Sequence, residues 1–564
     1  MQVVFSQRLQ VANSWAIFGQ RDLASFLCLP KNENERSRRS LVRSKAYMIR
    51  IFSDRMCRFS SVTLVTLLAH FASAEESTYY KAISSINASE LKAHVDVLAD
   101  DTFEGREAGS RGGRAAAGYL VRQFQKHGLR PAGVDGGYYQ SFNRGFRNIL
   151  GLLEGRDPEL KNEVIVVSGH YDHVGYGTRR NSYGPTGYIH NGADDNASGT
   201  AGILEAIDAC TQLSETPRRS VLFALWDGEE QGLLGSKHWV SQPTIRLDAI
   251  KLMINVDMIG RMRERRLEVY GSRTAKGLRK FVSQHNAETD MRLDFNWEMK
   301  ENSDHYSFFK HGIPVLMFHT GLHDDYHRPS DDAHKVNVQG MQDAARMLFQ
   351  VAYDLAERTE LNGFRDAAWH ETPAHKQRLE TPLQASKPRL GVWMEKEKAD
   401  TSGVVITDLK QGSAAEKGGL LVNDRVIEFD GQRVESRQEM VSAILHAGKS
   451  VSILLKRADE KDPSTVTLEL DGNPVRLGIS WRNDLAEPST VIITRVVSGS
   501  PAQLSGLKAG DRIYAVGGRE FQTSSGLLEL LKTLPSPISV LVEREGRLRT
   551  LSLDVPPAKE APAE

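Results

Sequence analysis

The sequence has few cysteines, no net charge and no long apolar run, and each absence excludes a class of protein. Only three cysteines occur in 564 residues, Cys28, Cys57 and Cys210, and their spacing matches neither a zinc ribbon nor a disulfide framework. Lysine plus arginine equals aspartate plus glutamate at 72 each, so no global field attracts nucleic acid or an anionic membrane. We therefore expect stability from buried cores, and the length predicts several domains.

An uncharged stretch in the N-terminal region has the pattern of an export signal. Arg55 and Arg58 precede the run Ser60–Phe71, and Ala72-Ser73-Ala74 then forms an A-x-A cleavage site. The run is shorter than the about 20 residues of a membrane-spanning helix, and a short buried helix is the alternative. The pattern favours export to the periplasm or the extracellular space, with residues 1–74 as a targeting region. For the residues before Met48, an over-extended start is the alternative.

Apolar segments alternate with helical patterns from about residue 83 onward. The strand candidates are Val164–Ser168, Val221–Leu225, Leu252–Val256 and Pro314–Phe318. The helical patterns lie at Gly199–Cys210, Gly232–Val240, Thr274–Asn286 and Val338–Arg358. Continuous apolar runs suit strands that are buried on both faces of a sheet. This predicts an α/β domain over residues 83–361, with a mostly parallel (mixed) central sheet flanked by helices and ligands bound at the C-terminal ends of the strands.

The last third of the chain contains an internal repeat. Residues 362–387 are polar and indicate a linker. Beyond them, Arg389-Leu390-Gly391-Val392 recurs as Arg476-Leu477-Gly478-Ile479, and Gly412-Ser413-Ala414 recurs as Gly499-Ser500-Pro501, at one constant separation. The repeat predicts two homologous units over residues 388–472 and 473–556, followed by a polar tail at 557–564.

The two repeat units resemble PDZ domains, which are small and rich in β-strands. The resemblance lies in the Leu-Gly-hydrophobic loop and in the stretches Gly412–Val434 and Gly499–Phe521. A PDZ domain binds an extended peptide as an added strand, and backbone N–H groups of that loop receive the terminal carboxylate. The resemblance therefore implies C-terminal peptide ligands at Leu390, Gly391 and Val392 and at Leu477, Gly478 and Ile479. Docking on the first domain without a peptide ligand is the alternative, because strand addition needs an open sheet edge.

Imidazoles and carboxylates follow the predicted buried strands. The residues are His170 and Asp172, Asp194 and Asp195, Glu229 and Glu230, Asp257, and His327. Each alone is ordinary, since such residues often cap helices or lie on the surface. Together they offer one bridging carboxylate and two further nitrogen or oxygen ligands for each of two metal ions, which need about 3.5–4 Å of separation.

This constellation closely resembles the co-catalytic zinc exopeptidases, a family that includes bacterial leucyl aminopeptidase, aminopeptidases S and Y and glutamate carboxypeptidase II. The resemblance covers roughly residues 89–358. It implies that His170 and Asp257 bind one zinc ion, that Glu230 and His327 bind another, and that Asp194 bridges the two. Cobalt or manganese are possible replacements for zinc at such ligands.

The resemblance also implies roles for residues around the metals. Glu229 would be the general base, and Asp172 would orient the His170 ring. In the family a cis peptide bond follows the bridging aspartate, so one is expected between Asp194 and Asp195. Asp195 would then support the metal ligands without binding a metal itself. Tyr326 would assist the oxyanion or simply pack. The segment Asn302–Phe318 also matches the family, and it places His305 in the wall of the site.

The resemblance favours an aminopeptidase that acts on the N-terminus of a peptide or protein. A carboxypeptidase needs an arginine cluster, and related carboxypeptidases carry an inserted domain that the short segment after Arg147–Gly155 lacks. A glutaminyl cyclase works with one zinc and does not need a full second ligand set. Carboxypeptidase and glutaminyl cyclase stay open as alternatives, and a third is an inactive peptide-binding scaffold, with metal content as the discriminator. A trypsin-like serine protease is excluded because its Gly-x-Ser-Gly loop is absent.

Overall fold

The computed structural model describes residues 78–395 and 402–555. The expected signal segment with its cleavage site and the expected polar tail lie outside the described residues. Within the described ranges, the structure contains no helix of sufficient length and apolarity to span a bilayer.

A nine-stranded mixed sheet forms the centre of the α/β domain. Its strands are β1 (Arg130–Pro131), β2 (Tyr139–Phe142), β3 (Phe146–Leu153), β4 (Val164–His170), β5 (Ser220–Trp226), β6 (Ile250–Val256), β7 (Arg266–Tyr270), β8 (Arg292–Asn296) and β9 (Val315–His319). The order is β1-β3-β5-β4-β6-β9-β7-β8, with β2 paired to β3. The central strands β5, β4, β6 and β9 are mutually parallel, which confirms the predicted architecture.

The four predicted strands form the middle of this sheet because their apolar runs are buried on both faces. Every residue of β4 and β5 is buried. The strands also run one or two residues beyond the apolar segments, so that β4 ends at His170 and β9 ends at His319. His170 and His319 therefore occupy the last positions of their strands.

Helices cover both faces of the sheet. They are α1 (Ala88–Leu98), α2 (Arg111–Lys126), α3 (Gly199–Thr211), α4 (Leu234–Ser241), α5 (Leu278–His285), α6 (His305–Phe309) and α7 (Val338–Glu357). Side chains cap several N-termini, as when Asn337 accepts a hydrogen bond from the Gly340 N–H at the start of α7. The four helical patterns in the sequence correspond to α3, α4, α5 and α7.

The segment expected to be a linker is folded against the α/β domain. It contains a 3₁₀ turn (Asp366–His370) and helix α8 (Pro373–Glu380). The rings of Phe364 and Trp369 pack on Phe309, with centroids 5.7 and 4.6 Å away. The polar composition gave no sign of these two anchoring aromatic residues, and the linker segment is folded.

Each repeat unit forms a small antiparallel sheet with two helices. The first contains β10 (Val392–Met394), β11 (Val404–Leu409), β12 (Arg425–Phe429), β13 (Gln432–Arg433), β14 (Ser450–Lys456) and β15 (Ser464–Glu469), with α9 (Ala414–Lys417) and α10 (Arg437–His446). The second contains β16 (Ile479–Asp484), β17 (Glu487–Val496), β18 (Arg512–Val516), β19 (Ile538–Arg544) and β20 (Arg547–Leu553), with α11 (Pro501–Leu504) and α12 (Ser524–Thr533). These β-rich sheets confirm the fold class predicted for the repeats.

The second repeat unit is joined to the α/β domain by buried arginines. The Arg279 guanidinium donates to both carboxylate oxygens of Glu543 at 3.0 and 3.1 Å. Arg273 donates to Asp484 at 2.8 and 2.6 Å and stacks 3.6 Å from the centroid of the Trp297 ring. The second unit is therefore docked on the α/β domain.

Candidate metal centre

Three neighbouring parallel strands bring the candidate residues to one edge of the sheet. Strand β4 ends at His170, and Asp257 directly follows β6. After β5 the chain turns at Gly228 (φ 75°) into a 3₁₀ turn that begins with Glu229 and Glu230. Because β4 pairs with both β5 and β6 in parallel, the three strand ends meet at the same place.

The first group of candidate ligands consists of His170, Asp195 and Asp257. The His170 Nε2 atom lies 3.3 Å from Asp257 Oδ1 and 3.4 Å from Asp195 Oδ1. All three residues are buried, and their ligand atoms lie within 4.8 Å of one another. This geometry suits a metal ion held by one imidazole and two carboxylates.

The second group consists of His173, Asp195, Glu230 and His327. The His327 Nε2 atom lies 3.1 Å from Asp195 Oδ2 and 3.0 Å from Glu230 Oε2. The His173 Nδ1 atom lies 2.7 Å from Glu230 Oε1. Asp195 thus belongs to both groups, with Oδ1 facing the first and Oδ2 facing the second, as a bridging carboxylate requires.

The structure does not place Asp194, the bridging residue expected from the sequence, in either group. Its Oδ1 atom accepts hydrogen bonds from the Gly260 N–H at 2.5 Å and from Ser198 Oγ at 2.9 Å. Its Oδ2 atom lies 3.1 Å from His323 Nε2. The carboxylate is therefore already engaged away from both groups, and Asp195 takes the position expected for Asp194.

The backbone explains this exchange of roles between two neighbours. Asp331 Oδ2 accepts the N–H groups of both Asp194 and Asp195, at 2.9 and 3.1 Å, and so fixes the segment. The two side chains then leave the backbone in different directions. The cis peptide bond lies between Asp195 and Asn196 rather than between Asp194 and Asp195, so that expectation was wrong by one residue.

A buried arginine, Arg106, binds the backbone of the segment that carries Asp194 and Asp195. Arg106 is 1% exposed and donates to the carbonyls of Tyr171 at 2.9 Å, Asn191 at 2.6 Å and Gly192 at 2.9 Å. A longer contact of 3.4 Å reaches the carbonyl of Asp195. Burial lowers the pKa of Arg106 to about 10, and the Asp195 charge opposes this shift. The guanidinium therefore ties together the loops that carry both groups.

Carboxylates outnumber cations at the centre, and their pKa values show the resulting repulsion. Burial raises the pKa of Glu229 well above its ordinary value, and the charges of Glu230 and Asp304 add to this effect. Burial lowers the pKa of His327, but its hydrogen bonds to Asp195 and Glu230 outweigh burial and raise that pKa to about 11. Buried like charges at such distances are relieved by proton uptake or by a bound cation. The donor set of imidazoles and carboxylates is one that zinc accepts.

Three other residues expected at the site have different surroundings. Asp172 Oδ1 accepts the Glu229 N–H at 3.1 Å and lies 3.8 Å from His170 Nδ1. The Asp172 backbone carbonyl is nearer to that nitrogen, at 3.2 Å, and thus orients the ring. The Tyr326 ring stacks on His327 with a centroid distance of 3.9 Å. His305 is buried and belongs to neither group, and burial lowers its pKa to about 4.

Sequence reasoning missed His173 and Arg106. His173 stands three residues after His170 in the segment His-Tyr-Asp-His, and this second histidine was the available signal. Arg106 lies in an otherwise polar segment with no recognisable motif, and only the fold shows that it is buried.

The two loops expected to receive a peptide carboxylate have the same backbone geometry. Gly391 and Gly478 have φ values of 82° and 83°. A Cβ added at Gly391 would lie 2.4 Å from the Cβ of Ser413, so the position needs glycine. The loop Leu390–Val392 opens on a cleft of about 630 Å³ between helix α10 and residues of the second repeat unit.

Comparisons with known proteins assign families to parts of the chain. Residues 148–352 match Peptidase family M28, and residues 388–470 and 492–544 each match a PDZ domain. Aminopeptidase YwaD of Bacillus subtilis (strain 168) is 26% identical over 227 residues, which cover 38% of this chain and 46% of the relative. Leupeptin-inactivating enzyme 1 of Streptomyces exfoliatus is 27% identical over 291 residues, covering 49% and 61%.

The chain spans about half the length of these curated relatives. Among solved structures, the LapA aminopeptidase of Legionella pneumophila superposes with a TM-score of 0.42 at 20% identity, covering 51% of this chain and 76% of that chain. The aminopeptidase of Aneurinibacillus sp. strain AM-1 superposes with a TM-score of 0.41 at 15% identity, covering 50% and 97%.

Proposed function

We propose that this chain, which carries a peptidase family M28 domain followed by two PDZ domains, is a two-zinc aminopeptidase that releases amino acids from the N-terminus of peptides. The observation that carries the proposal is the Asp195 carboxylate, whose two oxygens face two separate groups of ligands. His170 and Asp257 would complete the first zinc site, and Glu230 and His327 belong to the second.

Glu229 is the residue best placed to move a proton. Its carboxylate lies within 4.8 Å of the ligand atoms of His170 and Glu230. The ions, when bound, supply Lewis acidity to the scissile carbonyl and lower the pKa of water toward about 7. Glu229 takes the proton of the attacking water and returns it to the leaving amine as the C–N bond breaks. Tyr326, stacked beside the second group, is the candidate for assisting the oxyanion.

The surroundings favour an aminopeptidase over a carboxypeptidase. Only residues 154–163 separate β3 from β4, so this connection carries no inserted domain. Arg261 lies 3.1 Å from both Asp325 and Asp331 and is therefore committed to carboxylates of the protein. Arg328 donates to the carbonyls of Tyr183 and Gly184. A carboxypeptidase would need such arginines for the substrate carboxylate.

Two further proposals concern the rest of the chain. The sequence of residues 1–74 supports export to the periplasm or the extracellular space. The cleft beside Leu390–Val392 supports binding of a peptide C-terminus by the first PDZ domain, since the loop lines it together with helix α10. Hydrolysis does not depend on either proposal.

The test of the proposed function is the substitution Glu229→Gln. We expect the variant to retain its zinc and to lose turnover by at least about 10²-fold, because only the proton acceptor is removed. Metal analysis and hydrolysis of aminoacyl anilides measure the two effects. Glu360→Gln, at an exposed position beyond α7, is the matched control and should behave like the wild type.

Each alternative has its own outcome in the same experiment. Wild-type turnover in Glu229→Gln would remove Glu229 from the mechanism. A wild-type protein that binds no zinc and hydrolyses no anilide or peptide would support the inactive scaffold instead. Cyclisation of N-terminal glutamine without hydrolysis would identify a glutaminyl cyclase, and release of C-terminal residues would identify a carboxypeptidase.

A further inference from the structure

We propose that His173 is a fourth protein ligand of the second zinc ion, so that the two ions are held by unequal sets of side chains. The inference rests on the proposed function and names a residue of the same centre. The first group offers three side chains, whereas the second offers His173 in addition to Asp195, Glu230 and His327.

The position of His173 Nδ1 distinguishes a ligand from a supporting residue. A residue that only supports a ligand binds it on the side that faces away from the metal. Nδ1 instead lies 2.7 Å from Glu230 Oε1 and 3.7 Å from Asp195 Oδ2, and a ring nitrogen of His173 lies within 4.8 Å of ligand atoms of Asp195, Glu230 and His327. It therefore faces the same space as the other three donors.

The separations within the second group agree with tetrahedral coordination. Ligand atoms on a tetrahedral zinc ion lie about 3.4 Å apart. His173 Nδ1 is 2.7 Å from Glu230 Oε1 and 3.7 Å from Asp195 Oδ2. His327 Nε2 is 3.0 Å from Glu230 Oε2 and 3.1 Å from the same Asp195 oxygen. The two separations to the shared Asp195 oxygen, 3.7 and 3.1 Å, bracket the tetrahedral value, and the two contacts with Glu230 use different oxygens of its carboxylate.

The fold holds the His173 ring in this orientation. The side chain is fully buried, and its backbone N–H donates to the carbonyl of Arg106 at 3.2 Å. A Cβ added at Gly192 would come within 2.5 Å of His173 Cδ2, so the glycine leaves just enough room for the ring. The outer nitrogen, Nε2, is buried without a hydrogen-bond partner among the described residues. Nδ1, which lies near Glu230 and Asp195, is thus the His173 nitrogen available to a metal ion.

Unequal ligand sets assign different roles to the two ions. Four protein ligands complete a tetrahedral site, as in structural zinc sites, whereas three leave a position open, as in catalytic ones. The open position then lies at the first group, whose His170 is also close to the Glu229 carboxylate. The ion at the second group is expected to bind more tightly and to exchange last.

Two variants of similar shape test the proposal against a purely hydrogen-bonding role. Asparagine at 173 keeps a donor for Glu230 near the position of Nδ1 and removes the metal-binding nitrogen. Aspartate at 173 provides a metal-binding oxygen and loses the donor. Apoprotein of the full chain is titrated with zinc and with cobalt, whose absorption spectrum reports coordination, and the affinity of the tighter equivalent is measured.

We expect His173→Asn to weaken the tighter equivalent by at least about 10-fold, because a ligand is lost, and His173→Asp to remain within about 10-fold of the wild type. His190→Asn is the control, because His190 is also buried nearby but bonds to Ser182 and to a backbone carbonyl. It should leave the cobalt spectrum unchanged.

The opposite order would overturn the proposal. If His173→Asn binds zinc like the wild type while His173→Asp does not, His173 is a hydrogen-bond donor to Glu230 and no ligand. Equal affinities in the two variants also contradict it. If the His173 proposal fails but the wild-type protein binds two ions and cleaves peptides, the proposed function still stands. If the wild-type protein binds no second ion, both the His173 proposal and the two-zinc function are contradicted.

Discussion

Two adjacent aspartates show how much the site depends on the direction of single side chains. Asp195 places one oxygen toward His170 and the other toward His327. Asp194 is equally buried, yet its carboxylate accepts hydrogen bonds from Gly260 and Ser198. Asp195 therefore connects the two groups of ligands, and Asp194 connects the loops that surround them.

We predict that Asp195→Asn lowers zinc binding by both groups and abolishes turnover, because the amide removes the shared negative charge. Asp194→Asn is the matched control, with the same change one residue earlier. It should keep two ions and lose stability instead, since Asp194 only holds the Gly260 and Ser198 segments. Metal analysis and thermal unfolding of both variants separate the two outcomes, and retention of two ions by Asp195→Asn alone would reverse our assignment.

Sequence could indicate the type of ligand but not which of two neighbours provides it. His170 and Asp257 could be predicted as candidates because they lie at the ends of buried apolar runs, and Glu230 because it lies in the turn after one. The choice between Asp194 and Asp195 depends on a backbone fixed by Asp331, more than a hundred residues away. No local pattern reports such a contact.

At the scale of elements, the carboxyl ends of β4, β5 and β6 build the centre, and a hairpin of the second PDZ domain closes the far edge of the sheet. The turn between β19 and β20 consists of Glu545 and Gly546, both with positive φ. The Leu293 N–H in strand β8 donates to the Glu545 carbonyl at 2.8 Å. Apolar runs predicted the central strands. Strands β7 and β8 were not predicted, because buried and more exposed residues alternate along them and they contain no continuous apolar run.

We predict that Gly546→Ala destabilises the protein more than Gly518→Ala does. Both glycines have similar φ values, 76° and 72°, so an alanine costs about 1 kcal/mol of strain at either position. At Gly546 the new Cβ would also lie 2.3 Å from the Cβ of Leu293, whereas at Gly518 it meets nothing within 4 Å. Overpacking adds about 1–3 kcal/mol. Calorimetry of the full chain compares the two, and equal melting temperatures would contradict the docked hairpin.

At the scale of the whole molecule, the second PDZ domain is docked on the α/β domain and is not a separately appended module. Arg273 and Arg279 are held between the two domains by Asp484 and Glu543. In the sequence these arginines resemble any surface residues, because their partners lie 211 and 264 residues further on. Domain number and type were therefore predictable from the repeat, but the docking of the second repeat was not.

The buried Glu487 at this junction makes stability depend on pH. It accepts the backbone N–H groups of Arg279 and Lys280 at 2.9 and 3.3 Å. Burial, together with the charge of Asp484, raises the pKa of Glu487 from 4.5 to about 7. A raised pKa means that the folded state disfavours the ionised form, so this residue lowers stability progressively as the pH rises from about 4.5 through about 7.

We therefore predict how the melting temperature of Glu487→Gln minus that of the wild type changes with pH. This difference should increase as the pH rises from about 4.5 to about 7 and should be constant at lower pH. Glu529→Gln, on the exposed side of α12, is the control for the loss of one glutamate. Thermal unfolding at half-unit pH intervals measures the difference. A difference that is flat, or that falls with rising pH, would contradict burial of an ionisable group at the junction.

The most direct measurement of the central claim is a crystal structure of the zinc-loaded protein with anomalous diffraction data at the zinc edge. Our account predicts two anomalous peaks about 3.5–4 Å apart, with the Asp195 carboxylate between them and Asp194 bound to neither. One peak should lie beside His170 and Asp257, and the other beside Glu230 and His327. A single peak, or two peaks that Asp195 does not bridge, would contradict the account.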